Sequence, residues 1–447
     1  MNRVLTIIIF LILTSGISNA EVLSLKEAIN IALKDNPRIR AFNWSIEAQK
    51  EDIEILKKNY YPKITLEERF SRTNNPTYAF MSKLNQERFT SNDFIIDSLN
   101  NPDSINDFQT SLNIEQPLYI PKLNTGIKIS KIQLQEKSLR LSRLKEEVIR
   151  DVIRAYLGVL TAREYVKVAQ KSIEDIKEHK RLAELRYKAG LGLYSDVLRA
   201  EVSLKDAEKK LISARNSFDT AKRMLALVLG KTEPVDVLDE DIPLYLKDLN
   251  AYLEAGFNRY DLKSLKKSLE MAENVVKLEK STFIPEIGIG GSYQLNDHNT
   301  PLGSEGSSYI VMAFLRWRAI DFTLKHRVNK ASLKAKELSE NIEGLKNTIH
   351  FQINKAYNDV IEMKKNIELY EASVKDAKEA LRLVRKRYEN SLSPVVDLLD
   401  TQVMLDHARA KLVQARNDYR IALIDLYFQS GILAKEIENF LVSRSGK

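Results

Sequence analysis

The sequence contains no cysteine. That excludes disulfides, thiolate metal sites, a thiol nucleophile and a lipid-modified cysteine at a mature N-terminus. Proline is sparse and unevenly placed: none lies between Pro121 and Pro234, nor between Pro301 and Pro394, and proline is what most reliably breaks a helix. Glycine is scarce too, 15 in 447 residues, and only Gly126 and Gly158 interrupt the stretch 125–189. Histidine is limited to His179, His298, His326, His350 and His407, with no pair at metal-ligand spacing. The seven methionines are dispersed and give no sign of a soft-metal relay. Neither a metal site nor a cofactor is expected. After residue 20 no run reaches the ~18 consecutive apolar residues of a membrane-spanning helix.

What is present begins with an export signal over residues 1–20. Arg3 supplies the positive segment, residues 4–13 the apolar run, and Ser18-Asn19-Ala20 the cleavage site. The rest, in a chain 44% apolar and 29% charged, is too apolar for a disordered polypeptide. A formal charge of +8 raises nucleic acid or an acidic membrane surface as partners. An exported chain does not meet genomic DNA, so no nucleic-acid partner is expected.

The chain repeats itself. A shift of 201 residues carries Arg186-Tyr187, Leu191 and Asp196-Val197-Leu198 onto Arg387-Tyr388, Leu392 and Asp397-Leu398-Leu399, and Ala214-Arg215-Asn216 onto Ala415-Arg416-Asn417. A shift of 223 carries Tyr61-Pro62 onto Ile284-Pro285 and Ala28 onto Ala251. The expected organisation is a first repeat over 21–230, a linker over 231–248, a second repeat over 249–431 and a tail over 432–447. Each repeat holds a helix, a strand pair (63–120 and 286–320) and a long helical hairpin (125–230 and 324–431).

Apolar and small residues recur at three and four along the hairpins. The seam runs through Val148, Val152, Ala155, Val159, Ala162, Val166, Ala169, Ile173 and Ile176, and returns through Leu204, Ala207, Leu211, Ala214, Phe218, Ala221 and Leu225. The second repeat keeps it from Ile349 to Tyr388 and from Leu405 to Leu426. A seven-residue repeat predicts a left-handed coiled coil, with alanine allowing close approach. A helix over 125–189 would be about 100 Å long and its return over 195–229 about 50 Å, leaving room for helices over 25–56 and 249–280 stacked end to end on the returns.

The strand pairs alternate with period two. Phe108, Thr110, Leu112 and Ile114 alternate with Gln109, Ser111, Asn113 and Glu115; Ile287, Ile289, Tyr293 and Leu295 alternate with Gly288, Gly290, Ser292 and Gln294. The length and alternation fit outer-membrane barrel strands, or a soluble hairpin with one wet face. Aromatic residues at the ends (Tyr60, Tyr61, Tyr119, Tyr309, Trp317) and polar connections over 71–107 and 296–308 favour the membrane. Four strands cannot close a barrel, since the smallest have about eight. The chain must then oligomerise, with eight strands from two copies or twelve from three.

These residues together resemble the TolC-type outer-membrane efflux and secretion channel family over essentially the whole mature chain. Its marks here are the duplication, Tyr61-Pro62 and Ile284-Pro285 ahead of the strand pairs, and the Arg186-Tyr187 to Ala214-Arg215-Asn216 pattern with its copy at Arg387-Tyr388 to Ala415-Arg416-Asn417. The resemblance implies a mainly α fold with a small β part. A long coiled-coil helical barrel would join four strands per chain that contribute to a trimeric twelve-stranded β-barrel. It implies a homotrimer in the outer membrane with a tunnel extending into the periplasm. The tunnel tip would dock a periplasmic adaptor and an inner-membrane transporter. The function implied is the passive exit duct of a tripartite efflux pump or type I secretion system, and not an enzyme.

The resemblance also implies sites. An acidic ring gates the tip in this family, and the matching residues are Asp397 and Asp400, three apart on one helix face. Three copies would present six carboxylates to a narrow lumen. The same acids fit ordinary helix-start chemistry, with Ser393 as cap and Pro394 in the first turn. Contacts that close the tip map to Asp196 and Tyr388; Tyr388 also completes the heptad seam. The best-studied member adds an arginine where Ser393 stands here. The adaptor-docking turns match Gly190, Leu191, Gly192 and Ser391, Leu392, Ser393, with Ser391 departing from the glycine expected at a helix end.

Two other classes compete. A secreted or periplasmic coiled-coil scaffold without transport activity would explain the helices but not two matched strand pairs. An enzyme would need a nucleophile–base pair or convergent carboxylates in a cleft, and the sequence offers neither.

Overall fold

The computed structural model describes residues 21–240, 242 and 244–444; the expected export signal lies outside the described residues. In chain order the elements are β1 (Val22–Leu23), α1 (Leu25–Asp35), α2 (Pro37–Lys58), β2 (Lys63–Thr73), α3 (Pro76–Asn85), α4 (Ile96–Asn100), β3 (Ile105–Tyr119), α5 (Pro121–Lys188) and α6 (Tyr194–Leu229). There follow β4 (Asp236–Val237), α7 (Leu249–Gly256), α8 (Tyr260–Lys280), β5 (Glu286–Asp297), β6 (Gly306–Arg316), α9 (Leu324–Glu389), α10 (Val395–Gln429) and α11 (Leu433–Arg444). They fall into two compact units, each drawing on both sequence repeats. One holds the described residues up to Phe42, Leu141–Tyr260 and those from Lys346 on; the other holds Asn43–Arg140 and Asp261–Leu345.

The second of these units is built on a four-stranded antiparallel sheet in the order β2-β3-β5-β6. Register pairs Ile64 with Ile114, Leu66 with Leu112 and Phe70 with Phe108 on one face, and continues to Gly291 and Tyr293 on β5 and to Val311 and Tyr309 on β6. The alternate face carries Lys63 opposite Glu115, Thr65 opposite Asn113 and Arg69 opposite Gln109. One apolar and one polar face is what period-two alternation dictates. Leu66, Phe70, Val311 and Tyr309 are all exposed.

The polar connection expected over 71–107 holds more structure than a loop. The strands reach Thr73 and resume at Ile105, and α3 and α4 lie between them. Asn75 caps α3, its side chain accepting from Thr77 N at 3.1 Å, with Pro76 at the first helical position. The rings of Phe80, Phe89 and Phe94 meet edge-on at 4.8 and 5.1 Å, an apolar cluster supplied by a stretch whose composition is mostly polar.

In the other unit part of the seam forms the core, while Val166, Ala169, Leu211, Ala214 and Phe218 are only half-buried. Val148, Val152, Val159, Ile353, Val360, Leu405 and Leu426 are buried. Ile153, Tyr156 and Leu157 are buried as well, so this part of α5 packs on a broader face than a narrow seam. Tyr156 donates its hydroxyl to Leu238 O at 2.7 Å, beside the parallel pair Val22–Asp236 and Leu23–Val237. The α5 helix starts at Pro121 rather than residue 125, because proline fits the first turn, where no N–H is needed.

The expected single helices over 25–56 and 249–280 are each two. The first breaks at Asn36, whose ψ of 124° is extended, as the residue before Pro37 prefers. The Asn36 amide holds the break by donating to Val228 O at 3.0 Å and accepting from Arg38 N at 2.9 Å. The second breaks after Gly256, where an added Cβ would lie 2.5 Å from Ile353 Cδ1, so any side chain there would force Ile353 to shift.

Ala162 is buried on α5, whereas Lys177 is exposed. Phenylalanine at Ala162 is expected to overpack the wall at roughly 1–3 kcal/mol. A clear fall in thermal midpoint checks this against Lys177→Gln, which is expected to leave the midpoint unchanged.

Candidate functional site

The two helical hairpins turn with the same backbone chemistry. In the first, Leu191 N donates to Arg186 O at 2.8 Å and Gly190 N to Tyr187 O at 3.0 Å; in the second, Leu392 N donates to Arg387 O at 2.8 Å and Ser391 N to Tyr388 O at 3.1 Å. This is the six-to-one and five-to-two pattern of a helix closed by a left-handed residue. Gly190 adopts it at φ +72° and Ser391 at φ +63°. Glycine does so freely, but Ser391 carries a Cβ in a region costly for side chains.

Arg186 explains how that serine is held. Its Nη2 donates to Leu191 O and to Ser391 Oγ, each at 2.9 Å. Its Nη1 donates to Glu389 O at 3.1 Å and also to Tyr388 O. The guanidinium lies 4.7 Å from the centre of the Tyr388 ring. One planar fork thus ties the first turn to the second. The repeat comparison carried a signal for this residue, Arg186 aligning with Arg387, but not its role as a clamp.

Tyr388 packs with Val395, Leu398 and Leu399, flanked by Leu182 and Leu381. Its hydroxyl is buried without a hydrogen-bond partner among the described residues. Burial pushes its pKa up, the Asp196 carboxylate adds to the rise, and Arg186 opposes it. The structure thus brings Asp196 near Tyr388 without an intrachain hydrogen bond from that hydroxyl.

Asp397 and Asp400 are both exposed, while Val395, Leu398 and Leu399 turn inward. Helical spacing therefore keeps the two carboxylates outside the small core. The expected capping geometry is corrected: Pro394 is itself the cap residue, with no side-chain cap bond. Ser393 instead donates its hydroxyl to Asp397 Oδ2 at 2.7 Å, because its position before Pro394 puts it beyond reach of the first-turn amides. Leu191 and Leu392 stand 66% and 68% exposed at the ends of the turns.

Sequence reasoning missed a polar layer between α5 and α10. His179 Nε2 meets Gln402 Oε1 at 3.0 Å, Gln402 Nε2 donates to Asp406 at 2.9 Å, and Arg409 bonds Asp175 at 3.0 Å. Burial holds the His179 pKa below its ordinary value; the Gln402 bond and the Asp175 and Glu178 carboxylates oppose this and Arg385 reinforces it. The unfolded chain therefore takes the proton first, and His179 withdraws stability as pH falls below about 6.5. Burial raises Asp406, which acts in the opposite sense. His179→Gln is thus expected to flatten the fall in thermal midpoint between pH 7 and pH 5, measured in matched buffers.

A family model described as outer membrane efflux protein matches residues 28–231 and 252–431. The chain belongs to the outer membrane efflux protein family. It is similar to the alkaline protease secretion protein AprF of Pseudomonas aeruginosa, 22% identical over 434 residues that cover 93% of this chain and 86% of that one. It is also similar to the outer membrane protein TolC of Salmonella enteritidis, 22% identical over 470 residues that cover 100% of this chain and 90% of that one. Among solved structures, a membrane protein from Pseudomonas aeruginosa superposes with a TM-score of 0.74 at 17% identity, covering 91% of this chain and 93% of that chain. The Campylobacter jejuni CmeC outer membrane channel does so at 0.72 and 15% identity, covering 93% and 88%. The fold is therefore the expected one, mainly helical with a small β part, and this family member is an outer-membrane exit duct with its helical tunnel in the periplasm.

Proposed function

We propose that three copies of this chain close one barrel and one tunnel, conducting cargo passively for an efflux pump or type I secretion system. No reaction is catalysed. The tunnel tips meet a periplasmic adaptor coupled to an inner-membrane transporter. The observation that carries the assembly is the sheet, whose edges are β2 and β6. Open edges are not tolerated in lipid. Successive antiparallel pairs leave β2 and β6 running in opposite directions, so β6 of one copy continues onto β2 of the next in the same sense. The family resemblance favours three copies and twelve strands over two and eight.

At the tip, Asp397 and Asp400 form the acidic ring that constricts the lumen. Asp196 and Tyr388 hold the tip closed, and the unpartnered Tyr388 hydroxyl supports this role. A buried hydroxyl left unpaired costs about 1–3 kcal/mol, which a carboxylate on a neighbouring hairpin would recover. The exposed Leu191 and Leu392, with Gly190, Gly192, Ser391 and Ser393 around them, support docking of the adaptor at the turns.

Extraction only by detergent, with a trimer mass by light scattering after subtracting bound detergent, is the expected result. A monodisperse monomer that stays soluble without detergent overturns the proposal.

A further inference from the structure

The histidines stand apart along the chain, but the fold gives His298 company. Register pairs Asn296 with Gly306, so Asp297 and Glu305 sit at the next rung, facing one another where the β5–β6 connection begins and ends. His298 follows directly. One ligand atom from each of Asp297, His298 and Glu305 lies within 4.8 Å of the others.

The donor atoms are unevenly satisfied. Asp297 Oδ1 accepts from Asn299 N and Thr300 N, each at 2.8 Å. Glu305 Oε2 accepts from His298 N at 3.1 Å. The remaining oxygen, Glu305 Oε1, stands 2.5 Å from His298 Nδ1. That ring nitrogen is inaccessible to solvent and makes no hydrogen bond among the described residues. The approach is thus close without the direction of a hydrogen bond, between an imidazole nitrogen and a carboxylate, and it is an ion pair only when the ring is protonated. The second carboxylate beside them adds negative charge, and Arg88 is near enough to Asp297 to be felt by it.

We propose that Asp297, His298 and Glu305 form a divalent-metal site of the zinc class at the end of the β5–β6 hairpin. One imidazole nitrogen with two carboxylate oxygens suits a borderline first-row ion better than calcium or magnesium, which take oxygen alone. Bonds of about 2.0–2.2 Å put neighbouring donors roughly 3–3.5 Å apart. Binding therefore opens the Nδ1–Oε1 approach slightly and places the cation where the two groups now crowd. Asn299, whose amide lies 2.6 Å from His298 Nε2, supplies the outer partner. With Nδ1 on the metal, Nε2 carries the proton and Asn299 meets it with its oxygen, a half-turn of the amide. The ion would tie the two ends of the connection together.

The full chain in detergent, stripped with chelator, tests this by titration with zinc against a chromophoric competitor. An Asp397→Asn/Asp400→Asn background removes cation binding at the proposed tip ring, so the two sites are scored separately. One zinc per chain is expected. His298→Ala and Glu305→Gln are each expected to weaken it at least about tenfold, and Asn299→Ala by roughly 10-fold, the low end for an outer-sphere partner. Variants that assemble as the parent does are compared; His298→Gln substitutes where His298→Ala does not assemble. Zinc binding no tighter than about 1 mM, or equal binding by parent and Glu305→Gln, overturns the site. Displacement of zinc by an equal concentration of calcium or magnesium overturns the assigned class.

Discussion

Replacing Asp397 and Asp400 together with asparagine is expected to weaken block of the channel by a trivalent cation at least about tenfold in planar bilayers. A single lost contact worth ~1.4 kcal/mol gives a factor of ten, and the double substitution removes both exposed carboxylates from every copy. Cation preference should fall in the same records. The cap position is untouched, because Pro394 occupies it, and only the first-turn charge of Asp397 is lost from the helix start, a loss of about 0.3–1 kcal/mol. Ser393→Ala separates positioning from charge: it removes the 2.7 Å bond to Asp397 while leaving both carboxylates, and should weaken block only slightly. Loss of thermal stability in the double variant with block and selectivity unchanged would make these residues helix-start acids and nothing more.

How much of this was legible in the sequence depended on how far each signal reaches. The seam was readable because a seven-residue repeat is local and redundant; Val152, Val159, Ile353 and Leu405 are buried as that periodicity requires. The sheet was readable for the same reason, with period two setting the faces and the proline-marked starts its ends. The breaks were harder. Asn36 before Pro37 carried a signal, since proline biases its neighbour away from helix, but no proline marks the break after Gly256, and the close approach at that glycine comes from Ile353, nearly a hundred residues on. Likewise Glu305 gives no hint of His298 until the hairpin register sets them side by side. Side-chain reach across the fold has no local period, and that is why the polar layer around His179 and the clamp at Arg186 were missed.

Arg186→Ala is expected to produce the largest change in resting conductance of any single substitution at the turns. It removes donors to Leu191 O, Glu389 O, Tyr388 O and Ser391 Oγ and uncovers the Tyr388 ring. Bonds from a charged group are each worth about 1.5–3 kcal/mol when sheltered and less where water competes, as it does at these exposed turns. Even a fraction of that lets the second turn relax from the left-handed Ser391. Arg186→Lys keeps the charge but not the fork, so it should fall between parent and alanine. The internal control comes from the duplication. Arg387 occupies the matching place in the second repeat, yet among the described residues its one hydrogen bond is a long one, to Leu392 O at 3.4 Å. Arg387→Ala should therefore change little. Hydrogen exchange at the amides of Ser391 and Leu392 provides a second readout, expected to accelerate in Arg186→Ala and to stay near parent in Arg387→Ala. Equal effects from the two arginines would mean that the turns are held by their backbone bonds alone, since those bonds are the feature the two hairpins share.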